Sequence, residues 1–198
     1  HGQTCAITLD PTGDGSCDLL ANTIGTHTIT TNYSGDANYN AGSDTESQTI
    51  IKATPIVTIP YSSPNPALIG ESYLVTVAVN ANFGTATGIV TISDGVSGSC
   101  ATSLVGGGAS CSLSSTTAGS LTLTASYSGD DNFTAASGTA SHTVNKRPAG
   151  VTISTTPSTY GQEYTVNVSV FGAYSTPTGT VFVQDNFGAS CTATLSGG

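Results

Sequence analysis

The phrase Tyr127-Ser128-Gly129-Asp130-Asp131-Asn132-Phe133 has an earlier copy, Tyr33-Ser34-Gly35-Asp36-Ala37-Asn38-Tyr39, at an offset of 94 residues. Recurrence at the size of a small domain marks a tandem array, in which each unit repeats one supersecondary design. The register extends beyond the phrase: Cys17 falls on Cys111, Ile29 on Leu123 and Lys52 on Lys146. A second offset, 91 residues, places Gly70-Glu71-Ser72-Tyr73 on Gly161-Gln162-Glu163-Tyr164, Phe83 on Tyr174, Thr87-Gly88 on Thr178-Gly179 and Cys100 on Cys191.

These offsets divide the chain. Residues 52–146 make one complete repeat, 1–51 the C-terminal half of a repeat, and 147–198 the N-terminal half of another. Half a sandwich leaves an apolar face and strand edges bare. A window on a longer array is the expectation, because Cys5 and Cys191 both correspond to Cys100 and a clean complementary cut would not duplicate that position. The alternative is that neighbouring molecules complete each other's halves. The chain contains no Met, so a processed product or an excerpt is expected, with any secretion signal or anchor outside it.

The periodicity within a repeat is that of strands. Tyr73, Val75, Val77 and Val79 alternate onto one face, as do Tyr164, Val166, Val168 and Val170, which is the period of a half-buried strand. Leu121, Leu123, Ala125 and Tyr127 form a second such face, and its counterpart is His27, Ile29, Thr31 and Tyr33. His27 is therefore expected to be a partly buried strand residue. Segments 88–92 and 179–183 each run into a turn, at Asp94-Gly95 and Asp185-Asn186. Thr4 to Leu9 and Ser16 to Leu20 are expected to form a hairpin, and Glu46 to Ile51 a closing strand. About seven short strands in 52–146, with no helical periodicity, predict an all-β fold of tandem immunoglobulin-like β-sandwich repeats. The junctions Lys52-Ala53-Thr54-Pro55 and Lys146-Arg147-Pro148 are too short for slack Gly/Ser linkers, which predicts a stiff rod.

Three features together resemble the bacterial Ig-like repeat domains of large secreted and cell-surface proteins. They are Pro177-Thr178-Gly179-Thr180-Val181, the two Tyr-Ser-Gly-Asp-x-Asn-Tyr/Phe phrases and the Lys closing each repeat. The resemblance spans essentially the whole chain. It implies spacer domains of adhesins, stalks and surface fibres, exposed outside the cell. The cysteine pairs are an addition to that pattern.

Charge and composition narrow the partners. Only Lys52, Lys146 and Arg147 are basic and the net charge is −9, which argues against nucleic acid, whose phosphates need clustered cations. No run is long and apolar enough to insert in a membrane. Neighbouring repeats, including head-to-tail copies, are the expected partners. Charged residues make up only 8%, unlike most disordered chains.

Matched pairs Cys5/Cys17 and Cys100/Cys111 predict disulfides across hairpins, favoured over zinc because no further thiol or imidazole lies near them in sequence. Cys191 is left unpaired, its counterpart partner falling just past residue 198. The Tyr-Ser-Gly-Asp phrases offer hard oxygens for calcium at Asp36, Asn38, Asp130, Asp131 and Asn132. Against that, Ala37 replaces Asp131 in the first copy, and six to eight oxygens must converge. The favoured reading is a tight turn with Gly129 at positive φ and Asp130 and Asn132 bonding back to the backbone. Otherwise no cofactor is expected. His1, His27 and His142 are scattered, with no nucleophile elbow or phosphate loop, so no catalytic residue is assigned and no enzyme is expected. Phe83, Tyr174, Tyr61 and Tyr160 lie near repeat ends, where aromatics either stack on sugars or seal the junction with the next unit; packing is the favoured reading. The expected function is a rigid extracellular stalk or filament shaft, the alternative an adhesin module binding a glycan or protein receptor through its end loops.

Overall fold

The computed structural model describes residues 3–195, and all regular structure among them is strand. The centre is a two-layer sandwich built from β3 (Ile56–Ser63), β4 (Ala67–Leu68), β5 (Ser72–Asn80), β6 (Ile89–Ser93), β7 (Ser99–Ser103), β8 (Gly108–Ser114), β9 (Gly119–Tyr127) and β10 (Ala136–Asn145). One sheet has the order β4-β10-β9-β6-β7 and faces the sheet β3-β5-β8. Both are antiparallel except at β4, which pairs parallel with the end of β10. That is an immunoglobulin-like arrangement, with two sheets covering each other's apolar faces.

The alternating residues meet in the middle. Tyr73, Val75, Val77 and Val79 of β5 are buried against Val90, Ile92, Leu123, Ala125 and Tyr127. Each large side chain buried in this way contributes on the order of 1.5–3 kcal/mol, so this interior dominates the stability of the domain.

Two sequence expectations change here. Cys100 and Cys111 do not face each other across a hairpin. Chain 99–114 turns a corner between layers, with β7 in the five-stranded sheet and β8 in the three-stranded one, so their disulfide staples sheet to sheet. Residues 4–9 and 16–20 are irregular rather than stranded. Their counterparts β7 and β8 take ladder bonds from β6 and β5, and residues 3–24 have no such strands beside them.

Outside the sandwich, the strands among the described residues occur in pairs. These are β1 (Gly25–Tyr33) with β2 (Gly42–Ile50), β11 (Ala149–Thr155) with β12 (Val166–Gly172), and β13 (Gly179–Gln184) with β14 (Ser190–Leu195). A single two-stranded ladder cannot bury its apolar side. Ile153, Phe171 and Phe182 are accordingly exposed.

Candidate functional site

The recurring phrase forms the same loop twice. Gly129 has φ +83° and Gly35 φ +82°. A Cβ there would meet backbone below 3 Å in both copies, so only glycine fits. Asp130 Oδ1 accepts the N–H groups of Asn132 and Phe133, both at 2.9 Å. Asp36 Oδ1 accepts those of Asn38 and Tyr39 at 2.7 and 2.8 Å. The aspartate alone makes the turn; no side-chain bond from Asn132 or Asn38 to the turn accompanies it. Tyr127 and Phe133 are buried and anchor the second loop in the core.

What this loop holds is the chain entering the domain. Ala53 N donates to Asn132 O at 3.0 Å, and Thr134 N donates to Ala53 O at 2.9 Å. Lys52 Nζ donates to the Asp130 carbonyl at 2.6 Å, and Thr134 Oγ1 meets Thr54 Oγ1 at 3.2 Å. From the other side, Thr87 donates its N–H and Oγ1 to Asp130 Oδ2 at 2.8 and 2.9 Å. Burial works against ionisation of Asp130, but the bonds from Thr87 and Asn132 outweigh it and hold its carboxyl far below the usual range. Burial also pushes the Tyr127 hydroxyl up to about 12, with the Asp130 carboxylate beside it acting the same way. Both Asp130 oxygens are thus aimed at N–H and O–H donors. Both copies of the loop thus form the expected tight turn, closed by Asp36 and Asp130. No group of three metal-ligating side chains forms among the described residues.

The opposite end of the sandwich carries the second junction. Arg147 Nε donates to Ile69 O at 2.7 Å, and its guanidinium lies 5.7 Å from the Tyr174 ring centre. The Tyr174 ring lies so close to Gly70 that a Cβ on that residue would come within 2.1 Å of it. Tyr174 nevertheless stays 48% exposed, and Phe83, at the equivalent position, 63%. Tyr61 and Tyr160 are exposed as well. An open depression of about 360 Å³ runs along residues 170–177 beside Tyr174.

The cysteines pair as Cys5–Cys17 and Cys100–Cys111, with Cα–Cα distances of 6.3 and 6.6 Å, and Cys191 is an exposed thiol. His27 is half-buried on β1 with Nε2 2.9 Å from Thr23 O.

A buried polar node lies in the sandwich that no sequence motif announced. Asp94, Ser115 and His142 are all buried together with Tyr73. Tyr73 Oη lies 2.8 Å from Ser115 Oγ, which donates in turn to Asp94 Oδ2. The His142 ring stacks on Tyr73 with centroids 4.0 Å apart. Its Nδ1 lies 3.1 Å from Ser62 Oγ, while Nε2 is buried without a partner. Burial lowers the pKa of His142 below the ordinary 6.5, with the Asp94 charge opposing. Folded His142 therefore refuses a proton that the unfolded chain accepts, and stability must fall as pH drops below about 6.5. Asp94 adds nothing to that limb, because its carboxyl is held below its own ordinary value and titrates in a more acidic range. Chemical denaturation between pH 7 and 5 is expected to show this decline, and His142→Phe, which keeps the stacked ring, to flatten it.

The two opposed sheets with a sheet-crossing β7–β8 corner define an immunoglobulin-like domain. Residues 60–145 match the family described as Bacterial Ig-like domain (group 3), consistent with the fold of the central sandwich. No curated protein matches the chain. Family and fold make it a structural or surface module.

Proposed function

We propose that the chain is a length of rigid stalk or filament shaft on a bacterial surface or secreted fibre, outside the cell, whose partners are neighbouring Ig-like units. The observation that carries this reading is the grip on the connection. Residues 52–54 are bonded into the Asp130 loop by two backbone bonds, a lysine and a threonine. A linker pinned in this way cannot act as a free swivel, and the units it joins hold their direction. A sheet-to-sheet disulfide, about 2–3 kcal/mol for a loop this short, suits an oxidising, load-bearing setting. The Asp94–Ser115–His142 cluster supports no catalysis, being sealed from solvent with the serine bonded to the carboxylate rather than to the imidazole.

The test is flexibility. A Gly-Ser-Gly-Ser insertion after Ala53 is expected to broaden the distribution of distances between labels on β2 and β10, measured by pulsed electron resonance. An unchanged, broad distribution in both proteins would remove the basis for a rigid shaft. The second reading, an adhesin module, is favoured by the partial exposure of Tyr174 and Phe83 and by the depression beside Tyr174. A glycan-binding screen with Phe83→Ala and Tyr174→Ala discriminates the two.

A further inference from the structure

The first and last stretches of the central domain run side by side in the same direction. β3 forms the edge of one sheet, and β4 with β10 the facing edge of the other. Lys52 meets Asp130, Ser62 meets His142 and Ile69 meets Arg147, at separations of 78, 80 and 78 residues. A nearly constant separation is the mark of parallel neighbours, since in an antiparallel pair it shrinks toward the turn. The backbone bridges agree. Ala53 pairs parallel with Phe133 at the start of the run, and Ala67–Leu68 with Val144–Asn145 at its end. Between them the Val57 carbonyl lies against Gly138.

The direction matters because of where the chain enters and leaves. It enters at Lys52, beside the start of β10, and leaves at Arg147, beside the end of β4. These points lie about 33 Å apart along the ten residues of β10. Tension on the chain draws residue 52 one way and residue 147 the other, so the two stretches are pulled along each other. Each end is gripped. At the entry, Ala53 gives its N–H to Asn132 O and accepts that of Thr134. At the exit, Ile69 N donates to Asn145 O at 3.0 Å, Thr143 N to Asn65 Oδ1 at 3.0 Å and Arg147 Nε to Ile69 O at 2.7 Å. Sliding loads all of these bonds together. Had the chain entered and left at one end, they would open one at a time.

We propose that residues 52–69 and 130–147 form a force-bearing clamp, which takes tension along the chain in shear and gives the domain a mechanical resistance that depends on direction. The β6–β7, β6–β9 and β5–β8 ladders lie off this path and carry load only after the clamp has parted. The clamp lies wholly within the central domain. It does not rest on the stalk reading: resistance to tension is a property of one domain, whereas stiffness between units is what the linker insertion tests.

The disulfide has a separate part. β7 and β8 are the sheet edges farthest from β10 and β3, so Cys100–Cys111 bridges the side of the sandwich away from the clamp. It does not hold the two loaded stretches together. Once they part, it withholds the chain between Cys100 and Cys111 from extension. That is a separation of 11 residues less the 6.6 Å between the two Cα atoms, or about 30 Å of extended chain. The clamp sets the force and the disulfide limits the length released.

The test is to pull the full chain in two directions with optical tweezers, since forced unfolding reads the unfolding barrier and not the equilibrium stability. Handles are joined through azide-bearing amino acids at exposed positions. Thr49 and Ser154 load the clamp in shear; Thr49 and Asp131, both at the entry end, peel it open from Ala53. At equal loading rate the shear force is expected to exceed the peel force by roughly two-fold or more. Asn65→Ala/Arg147→Ala removes two side-chain bonds at the exit end, and is expected to lower the shear force while leaving the peel force unchanged. Reduction of the disulfide is expected to lengthen each release by about 30 Å and to preserve the difference between directions. Equal forces in the two directions would overturn the clamp, as would a double variant that weakens both alike. A difference that vanishes on reduction would place the resistance in the disulfide and overturn it too.

Discussion

Replacing Asp94 with alanine is expected to destabilise the central sandwich by about 3–5 kcal/mol, the range for breaking a buried charged network. The carboxylate is 2% exposed and serves five donors. Oδ1 accepts the N–H groups of Val96, Ser97 and Gly98 at 2.9, 2.9 and 2.8 Å, closing the β6–β7 turn. Oδ2 accepts from Ser115, with the Tyr73 hydroxyl at 3.5 Å. One side chain thus ties the turn to β8 and to the centre of β5. Alanine strands the Gly98 and Ser115 donors in the interior and leaves the N–H groups of Val96 and Ser97 at the turn without their partner. Asp94→Asn keeps an oxygen for the turn and is expected to cost roughly half as much. The ionised form carries a specific acid signature. Burial works against ionisation, but the bonds from Ser115, Val96, Gly98 and Ser97 together hold the carboxyl below its ordinary 3.8. Its contribution is therefore present above pH 3.8 and lost as the pH falls through the lower folded value. Urea unfolding of wild type, Asp94→Ala and Asp94→Asn at pH 7, repeated down to pH 3, measures both. An alanine protein within 1 kcal/mol of wild type would mean that the turn finds its partners elsewhere.

The sheets were legible because their signal is local: Tyr73 to Val79 and Leu121 to Tyr127 alternate, and alternation needs only neighbours in sequence. The Asp130 turn was legible for the same reason, being an aspartate, a glycine and two nearby N–H groups. The node was not, because Tyr73, Asp94, Ser115 and His142 come from four separate stretches, and as sequence Asp94-Gly95 announces only a turn. A signal did exist in the repeat. Tyr164 and Asp185 preserve the 21-residue spacing of Tyr73 and Asp94, and Asp185 again accepts turn N–H groups, from Phe187 at 2.9 Å and Ala189 at 2.8 Å. A tyrosine and an aspartate repeated together at fixed spacing say more than either alone. The irregularity of residues 4–9 and 16–20 was hidden for the opposite reason: their composition suits strands, but a strand exists only where a ladder partner lies beside it.

A single methyl group at Gly138 is expected to cost about 3 kcal/mol, near the upper end for overpacking a fitted interior. The reason is space and not backbone conformation, since Gly138 is not among the residues at positive φ. A Cβ built there comes within 2.0 Å of the Val57 carbonyl oxygen and 2.7 Å of its carbon. Those are backbone atoms of β3, held in ladder bonds to β5, so they cannot turn aside as a flexible side chain would. Gly138→Ala must therefore push β3 and β10 apart along the seam between the two sheets, loosening Val57 and the core beneath it. Position 44, the same site in the first copy, already carries an aspartate on an exposed strand with no β3 against it. Asp44→Ala is accordingly expected to leave unfolding of the central domain unchanged. Paired urea titrations of the two variants compare the same ladder position with and without a strand packed on it. Equal stability would show that the Gly138 seam yields freely, and that closeness of the two strands contributes nothing to the fold.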